Sequence, residues 1–178
     1  MGYRHTREDI LAGAIATAFE DGLSQLSFGR VARHLGISDR VVVYYLATKD
    51  DLVSEVLIAV GVQLQQTLEP AFVQLFANHL ELVRTAWPVA ADESADPVFA
   101  LFFEANGLAA AGRSPFRAIV PQLVEGWITW ASAYFDGSPA ERRAEAEAAI
   151  ALLDGLILLR QLAGPEASDR AAKRLGVS

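Results

Sequence analysis

The sequence predicts an all-α fold, and three observations carry that prediction. Apolar residues recur at helical spacing along most of the chain. Helix caps, glycines and prolines separate these segments, and no segment has the apolar–polar alternation that is typical of a half-buried strand. The composition agrees, because 52% of the 178 residues are hydrophobic, which is enough for a sizeable core.

Three helices are predicted within the first fifty residues. Each begins after a residue whose side chain can cap a helix, and the first two end at a glycine. The caps are Thr6, Ser27 and Ser38, and the glycines are Gly22 and Gly36. The third helix covers about residues 39–45 and contains the triplet Val41-Val42-Val43. These valines favour a strand, but their place between a cap and a capping box indicates a helix.

Five to six further helices are predicted after residue 48. Thr48 and Asp51 form a capping box that opens a long helix, and the later helices begin at proline and cap patterns. Two further capping boxes are predicted, at Thr6 with Asp9 and at Ser138 with Glu141. The later helices are expected at about residues 71–86, 97–111, 115–135, 140–162 and 166–175. Trp87-Pro88 should close the first of these, residues 88–96 should form an acidic loop, and Pro121 should kink or split the third.

Composition also excludes several function classes. The chain has no cysteine, so disulfides, thiolate zinc sites and cysteine nucleophiles are excluded. Its three histidines are widely spaced, so we expect no metal and no cofactor. The sequence contains no recognisable nucleophile–base pair, so we do not expect an enzyme. The polar N-terminus and the absence of an uncharged apolar run of eighteen residues predict a cytoplasmic, soluble protein without membrane association.

Residues 27–45 have the spacing of a helix-turn-helix. Such a unit needs a small residue where its helices cross, here Ala32, and a residue that tolerates positive φ in the turn, here Gly36. Apolar residues occupy the expected inner positions: Val31, Leu35, Ile37, Val42 and Tyr45. A three-helix packing unit without a DNA-binding role would need the same residues, so the spacing alone leaves both interpretations open.

The stretch from Arg7 to Leu52 resembles the DNA-binding domain of tetracycline-repressor-type (TetR-family) transcriptional regulators. The matching pieces are Ile10-Leu11-Ala12, Ala18-Phe19, Gly22, Val31-Ala32, Leu35-Gly36-Ile37-Ser38, Tyr44-Tyr45-Leu46 and Thr48-Lys49-Asp50-Asp51-Leu52. The resemblance implies a DNA-binding domain at residues 1–50 and a helical effector-binding and dimerisation domain at residues 51–178. It also implies a homodimer that represses transcription from a palindromic operator until a small molecule releases it.

Several positions depart from that family's usual pattern. A small hydroxyl residue is usual where this chain has Val41, a tyrosine where it has Val43, and a phenylalanine where it has Leu46. Because that tyrosine usually contacts a phosphate, we expect the contact to pass to the neighbouring Tyr44. Position 39, often basic in relatives, is Asp39.

The predicted DNA contacts lie on the second and third helices and at the start of the fourth. Arg40 can read a guanine, either Val41 or Val43 can touch a thymine methyl, and Lys49 can hold a phosphate. The set is Ser27, Arg30, Ser38, Asp39, Arg40, Val41, Tyr44, Tyr45 and Lys49. Because residues 1–54 carry a net charge of −1, binding requires a local basic surface, and an ordinary solvated surface is the alternative.

The second part of the chain suits a regulatory role. Residues 55–178 contain nine basic and fifteen acidic residues, a surface that would repel DNA. Two aromatic stripes at helical spacing predict an apolar effector cavity, with plain core packing as the alternative. The predicted ligand-binding residues are Phe99, Phe102, Phe103, Asn106, Trp127, Trp130 and Tyr134. Glu104 and His79 are further candidate polar anchors.

The helix expected at residues 140–162 is apolar nearly all round from Ala148 onward. Such a helix is buried on two sides, and the second side is most simply covered by another copy of the chain. Asp154-Gly155 within it is interpreted as a packing feature of that interface. The alternative function is a dimeric small-molecule-binding protein with a degenerate DNA-binding domain, motivated by Asp39, Val43 and the charge of −1.

Overall fold

A computed structural model describes residues 5–178, and it confirms the all-α prediction. Over that range nine α-helices form and no strand is present. The helices are α1 (Arg7–Asp21), α2 (Phe28–Leu35), α3 (Asp39–Tyr45), α4 (Lys49–Leu68), α5 (His79–Ala90), α6 (Asp96–Ala110), α7 (Phe116–Ser132), α8 (Pro139–Ala163) and α9 (Pro165–Leu175). Short 3₁₀ turns form at Leu23–Gln25, Glu69–Ala71 and Glu93–Ala95.

Local capping chemistry sets several of the helix starts. Each predicted capping box forms two reciprocal hydrogen bonds: Thr6 with Asp9, Thr48 with Asp51, and Ser138 with Glu141. The backbone N–H of Thr6 holds the pKa of Asp9 below its usual range, and the Ser138 hydroxyl does the same for Glu141. The boxes therefore satisfy amides that the first turn of a helix leaves unpaired.

The helix predicted at residues 71–86 begins later than expected. Residues 72–78 form no helix. In this non-helical segment the side chains of Phe72 and Phe76 are both buried. The N–H of Phe76 donates to the carbonyl of Tyr134 at 2.8 Å. Asn78 then accepts the N–H of Glu81 and caps α5. Long-range aromatic packing thus outweighs the local helical pattern.

Two prolines were predicted to end or interrupt helices, but each lies inside a continuous helix. Pro88 is exposed within the last turn of α5, which continues to Ala90, so the acidic loop predicted from residue 88 starts later. Pro121 is exposed within α7, so it does not split that helix, which ends at Ser132 rather than at residue 135. Each proline removes one backbone donor and leaves one helical carbonyl without its usual partner.

The chain packs as two compact units. The first runs to Val62 and includes Leu101–Val120, and the second comprises Gln63–Ala100 and Pro121–Ser178. Fully buried side chains of the first unit come from α1 to α4 and from the α1–α2 connection: Ile10, Leu23, Leu26, Val31, Val42, Leu52, Val53 and Val56. The functional division at residue 50 stays a prediction.

In the second unit, α8 packs against α5 and α9. Arg160 of α8 is 8% exposed, and its guanidinium donates to both carboxylate oxygens of Asp96 at 2.8 and 3.2 Å. Arg84 of α5 donates twice to the carbonyl of Gly176, which follows α9. The Arg160–Asp96 ion pair thus joins α8 to the first residue of α6, and the Arg84 hydrogen bonds join α5 to the end of α9. Across residues 5–178, no helix is both long and apolar enough to cross a membrane.

Candidate functional site

The turn between α2 and α3 has helix-turn-helix geometry. Gly36 has φ +67° in the left-handed region, which glycine adopts without strain. The N–H of Ile37 donates to the carbonyl of Ala32 at 3.0 Å and closes the end of α2. Ala32 and Val42 are buried where α2 packs against α3. The predicted turn and small residue are where the motif requires them.

Gly13 is a residue that sequence reasoning missed. A Cβ atom at this position would lie 2.6 Å from Cγ of Leu35, so the approach of α2 to α1 depends on the missing side chain. The hydroxyl of Thr17 donates to the Gly13 carbonyl at 2.7 Å inside the same buried region. A glycine inside an otherwise strong helical pattern was the available signal.

The outer face of α3 presents polar and apolar groups to solvent. Ser38, Asp39 and Arg40 are exposed, and the Ser38 hydroxyl accepts the N–H of Arg40 at 3.3 Å. Tyr44 is 80% exposed, which suits a residue that reaches outward. Val41 is half-buried. Within residues 5–178, Arg40 forms no ion pair, so its guanidinium is available for an external acceptor.

Lys49 is exposed at the first position of α4. The N–H of Asp51 already donates to Thr48 within the capping box, and Asp50 and Asp51 place two carboxylates in the first turn. The amides at this helix start are therefore poorly placed to donate hydrogen bonds to a phosphate. A phosphate contact here depends on the Lys49 ammonium.

Three other predicted DNA contacts also brace the fold. The Tyr45 hydroxyl donates to the carbonyl of His5 at 2.7 Å, and its half-buried ring meets Tyr44 edge to face. Arg30 donates to a carboxylate oxygen of Asp21 at 2.7 Å and also to Gln25, while Ser27 caps α2. Their contacts with DNA stay predictions.

The predicted effector residues form two local aromatic groups. Phe99 is buried, while the rings of Phe102 and Phe103 are half-buried and meet edge to face at 5.4 Å; Asn106 is also half-buried. Phe102, Phe103 and Asn106 belong to the first unit, whereas Phe99, Trp127, Trp130 and Tyr134 belong to the second. That these residues line one cavity stays a prediction.

The aromatic cluster of the second unit includes a ring that sequence reasoning missed. Phe72 lies 5.4 Å from Trp130 and 5.0 Å from Tyr134 between ring centroids. Trp130 also contacts Trp127 and Tyr134 edge to face. Burial raises the pKa of the Tyr134 phenol. The helical spacing of α7 indicated three of the four members, but Phe72 comes from a distant non-helical segment.

The acidic and imidazole groups considered as anchors have partners elsewhere. Glu104 accepts two backbone N–H groups, from Leu23 and Ser24. Both the N–H and the Nδ1 atom of His79 lie within hydrogen-bond distance of a Glu145 carboxylate oxygen, and these bonds lower the pKa of Glu145. Neither Glu104 nor His79 is therefore a free polar group in a cavity.

One face of α8 carries exposed apolar side chains. Leu158 and Leu159 are exposed, and Leu162 is 78% exposed. Leu156, by contrast, is buried and belongs to the core of its own unit. Burial raises the pKa of Asp154 on the same helix to about 6. These three leucines form an apolar surface on α8 that the chain itself leaves uncovered.

No family model matches the sequence, and no curated protein matches it significantly. Among solved structures, a transcriptional regulator from Rhodococcus sp. Rha1 is similar over 94% of this chain and 91% of its own, with 24% identity and a TM-score of 0.71. A TetR transcriptional regulator from Legionella pneumophila is 18% identical, covering 98% of this chain and 97% of its own, with a TM-score of 0.69.

The multidrug-binding protein EbrR in complex with proflavin is 24% identical, covering 95% of this chain and 98% of its own, with a TM-score of 0.66. At these identities the likeness concerns the fold rather than the binding residues. The chain therefore has the fold of TetR-type transcriptional regulators.

Proposed function

We propose that the protein is a homodimeric DNA-binding repressor that a small apolar or aromatic molecule releases from a palindromic operator. The observation that carries this proposal is the outer face of α3, where Arg40 and Tyr44 are exposed to solvent on a helix that follows the Gly36 turn. The shared fold with transcriptional regulators supports it. We expect the protein to act in the cytoplasm and to have no catalytic activity.

DNA reading would use two copies of α3. In a two-fold dimer, the two helices would enter successive major grooves about 34 Å apart. Arg40 would donate to a guanine, Tyr44 and Lys49 would contact phosphates, and Val41 would meet a thymine methyl. Because residues 1–54 are slightly acidic overall, these few groups must supply most of the attraction to the phosphates.

The DNA-binding role is tested by selecting bound sequences from a random DNA pool and measuring the affinity of the selected operator at two salt concentrations. Arg40→Ala should cost about 1–3 kcal/mol and relax preference at one base position. Lys49→Ala should weaken all sequences alike and lower the salt slope by about one unit. Arg174→Ala, an exposed arginine on α9, is the matched control and should change neither.

Dimerisation would cover the exposed leucines of α8. Leu162→Glu should place a charge in that interface and yield a monomer at micromolar concentration in analytical ultracentrifugation. Val73→Glu is the control, because Val73 is an equally exposed apolar residue outside the helices. A wild-type protein that sediments as a monomer contradicts this part of the proposal.

The effector would bind against the aromatic residues of α6 and α7. EbrR, which shares the fold, is described in complex with proflavin, and a flat aromatic probe suits half-buried aromatic rings. Proflavin should quench tryptophan fluorescence and lower operator affinity, and Trp127→Ala should weaken both effects. Trp87→Phe is the control, because Trp87 is buried in α5. An unchanged operator affinity at saturating proflavin counts against this type of effector.

A second candidate function is a dimeric small-molecule-binding protein with a degenerate DNA reader. Exposed Asp39 on the reading face and valine at position 43 favour it. The same selection experiment separates the two functions. If the pool yields no preferred sequence at low salt while proflavin still binds, the second function is the better account.

A further inference from the structure

Glu104 of α6 holds the connection between α1 and α2. Its Oε2 atom accepts the N–H of Leu23 at 2.8 Å, and its Oε1 atom accepts the N–H of Ser24 at 2.9 Å. These are the first two amides of the 3₁₀ turn Leu23–Gln25, which has no cap from its own neighbouring side chains. One distant carboxylate thus satisfies two amides with charge-assisted hydrogen bonds.

Gly22 makes this approach possible. It has φ +83°, and a Cβ atom on it would lie 3.1 Å from Oε2 of Glu104. Any other residue here would be strained and would push against the carboxylate. The glycine that ends α1 and the glutamate of α6 are therefore complementary parts of one contact.

The 3₁₀ turn sets where α2 begins. Leu23, the first residue of the turn, and Leu26, the residue after it, are fully buried, and Ser27 follows at once as the cap of α2. Since α3 packs directly on α2, a shift of this turn is passed to α3. The position of the reading helix therefore depends on a carboxylate that lies far outside the helix-turn-helix in sequence.

We propose that Glu104 is a positioning residue for DNA reading: it fixes the α1–α2 turn from α6 and thereby the orientation of α3. The inference rests on the proposed function. Both hydrogen bonds need N···O distances near 3 Å, so a shift of α6 by about 1 Å weakens both together. Phe102, Phe103 and Asn106, assigned above to the effector, lie within two residues of Glu104 on the same helix.

Two variants separate position from charge. Glu104→Asp keeps the charge but is one methylene too short, and Glu104→Gln keeps the length but presents an amide donor to one of the two N–H groups. Glu166→Gln, on an exposed side chain of α9, removes the same charge elsewhere. Circular dichroism establishes that each variant is folded. The readouts are affinity for the selected operator, affinity for unrelated DNA, and hydrogen exchange at the amides of Leu23 and Ser24.

Both Glu104 variants should bind the selected operator about tenfold more weakly, with unrelated DNA unaffected and the two amides exchanging faster. Loss of a negative charge alone strengthens binding to DNA, so a weaker Glu104→Gln variant cannot be a charge effect. If the wild type selects a sequence but Glu104→Asp keeps wild-type operator affinity and slow exchange at the two amides, the inference about Glu104 is wrong and the proposed function stands. A wild type without any sequence preference overturns the proposed function, and this inference with it.

Discussion

The two compact units hold their interiors in different ways. The first packs aliphatic side chains such as Ile10, Val31 and Val42 out of contact with solvent. The second includes a cluster of Phe72, Trp127, Trp130 and Tyr134, whose rings lie 5.0–5.4 Å apart and three of which are half-buried. Interlocked aliphatic groups keep one geometry, which would suit the DNA-reading role proposed for α3. Half-buried rings leave apolar surface, which suits an apolar ligand.

The largest expected effect concerns the aromatic cluster. Phe72→Ala removes a buried ring that contacts Phe76, Trp130 and Tyr134 and should lower the free energy of unfolding by about 3–5 kcal/mol. Urea denaturation followed by circular dichroism measures the loss. Leu75→Ala, at a half-exposed position in the same segment, should cost less than about 0.5 kcal/mol. Equal losses would mean that the cluster does not anchor the segment.

The second unit also contains a carboxyl group whose burial is costly. The pKa of Asp154 is raised to about 6, against about 3.9 in an unfolded chain. The folded state therefore holds the proton more tightly, and the stability that this proton confers is complete below about pH 4 and is lost as the pH rises through 6. Asp154→Asn should exceed the wild type in unfolding free energy by about 1–3 kcal/mol at pH 8 and lose that advantage near pH 4.

Denaturation midpoints of both proteins across pH 4–8 check this expectation. Asp169→Asn is the control, because Asp169 is exposed on α9. A pH-independent difference between Asp154→Asn and the wild type contradicts the shifted pKa.

The aliphatic packing of the first unit is tested at Gly13. Gly13→Ala should lower the unfolding free energy by about 1–3 kcal/mol, because the added methyl group overlaps Leu35. Gly29→Ala provides the opposite sign: nothing lies within 4 Å of its added atom, and alanine favours the helix by up to about 1 kcal/mol. Urea midpoints of the two variants should therefore move in opposite directions. If both variants were stabilised, the space between Gly13 of α1 and Leu35 of α2 would have to be large enough for a methyl group.

The smallest expected effect separates two adjacent tyrosines. Tyr45→Phe loses the hydrogen bond to the His5 carbonyl and should cost about 0.5–1.5 kcal/mol of stability. Tyr44→Phe should leave stability unchanged, because its ring is mostly exposed, and should weaken operator binding if its hydroxyl meets a phosphate. Denaturation and DNA titration of both variants distinguish a residue that stabilises the fold from one that contacts DNA. If Tyr44→Phe lowered stability and Tyr45→Phe weakened only DNA binding, the two roles would have to be exchanged.

Sequence reasoning was most accurate where short-range chemistry decides the structure. The capping boxes at Thr6 and Ser138 and the left-handed Gly36 turn depend on residues within four positions of one another. It was wrong at residues 72–78, where Phe72 and Phe76 pack against distant rings of α7 and the end of that helix. Helical spacing cannot show which distant surface an aromatic ring will meet.

The candidate site shows the same limit. The sequence identified the outward face of α3, and Arg40 and Tyr44 are indeed exposed there. It did not show that Arg30 is held by Asp21 or that Glu104 holds the turn before α2, because both depend on tertiary contacts. The effector cavity is the least accessible from sequence, since residues on different helices must be placed together before a cavity can be recognised.

The capping box at the start of α4 bears on which side chains would supply affinity for DNA and which would align the protein with the bases. Because Thr48 and Asp51 occupy that helix start, Lys49 alone is left to attract a phosphate there. An ammonium on a flexible stem is a point charge without a preferred direction. In the proposed complex, Lys49 would hold the protein on a duplex without fixing the angle of approach, so base alignment would fall to the side chains of α3. Sliding along DNA and stopping at an operator would then rest on different groups.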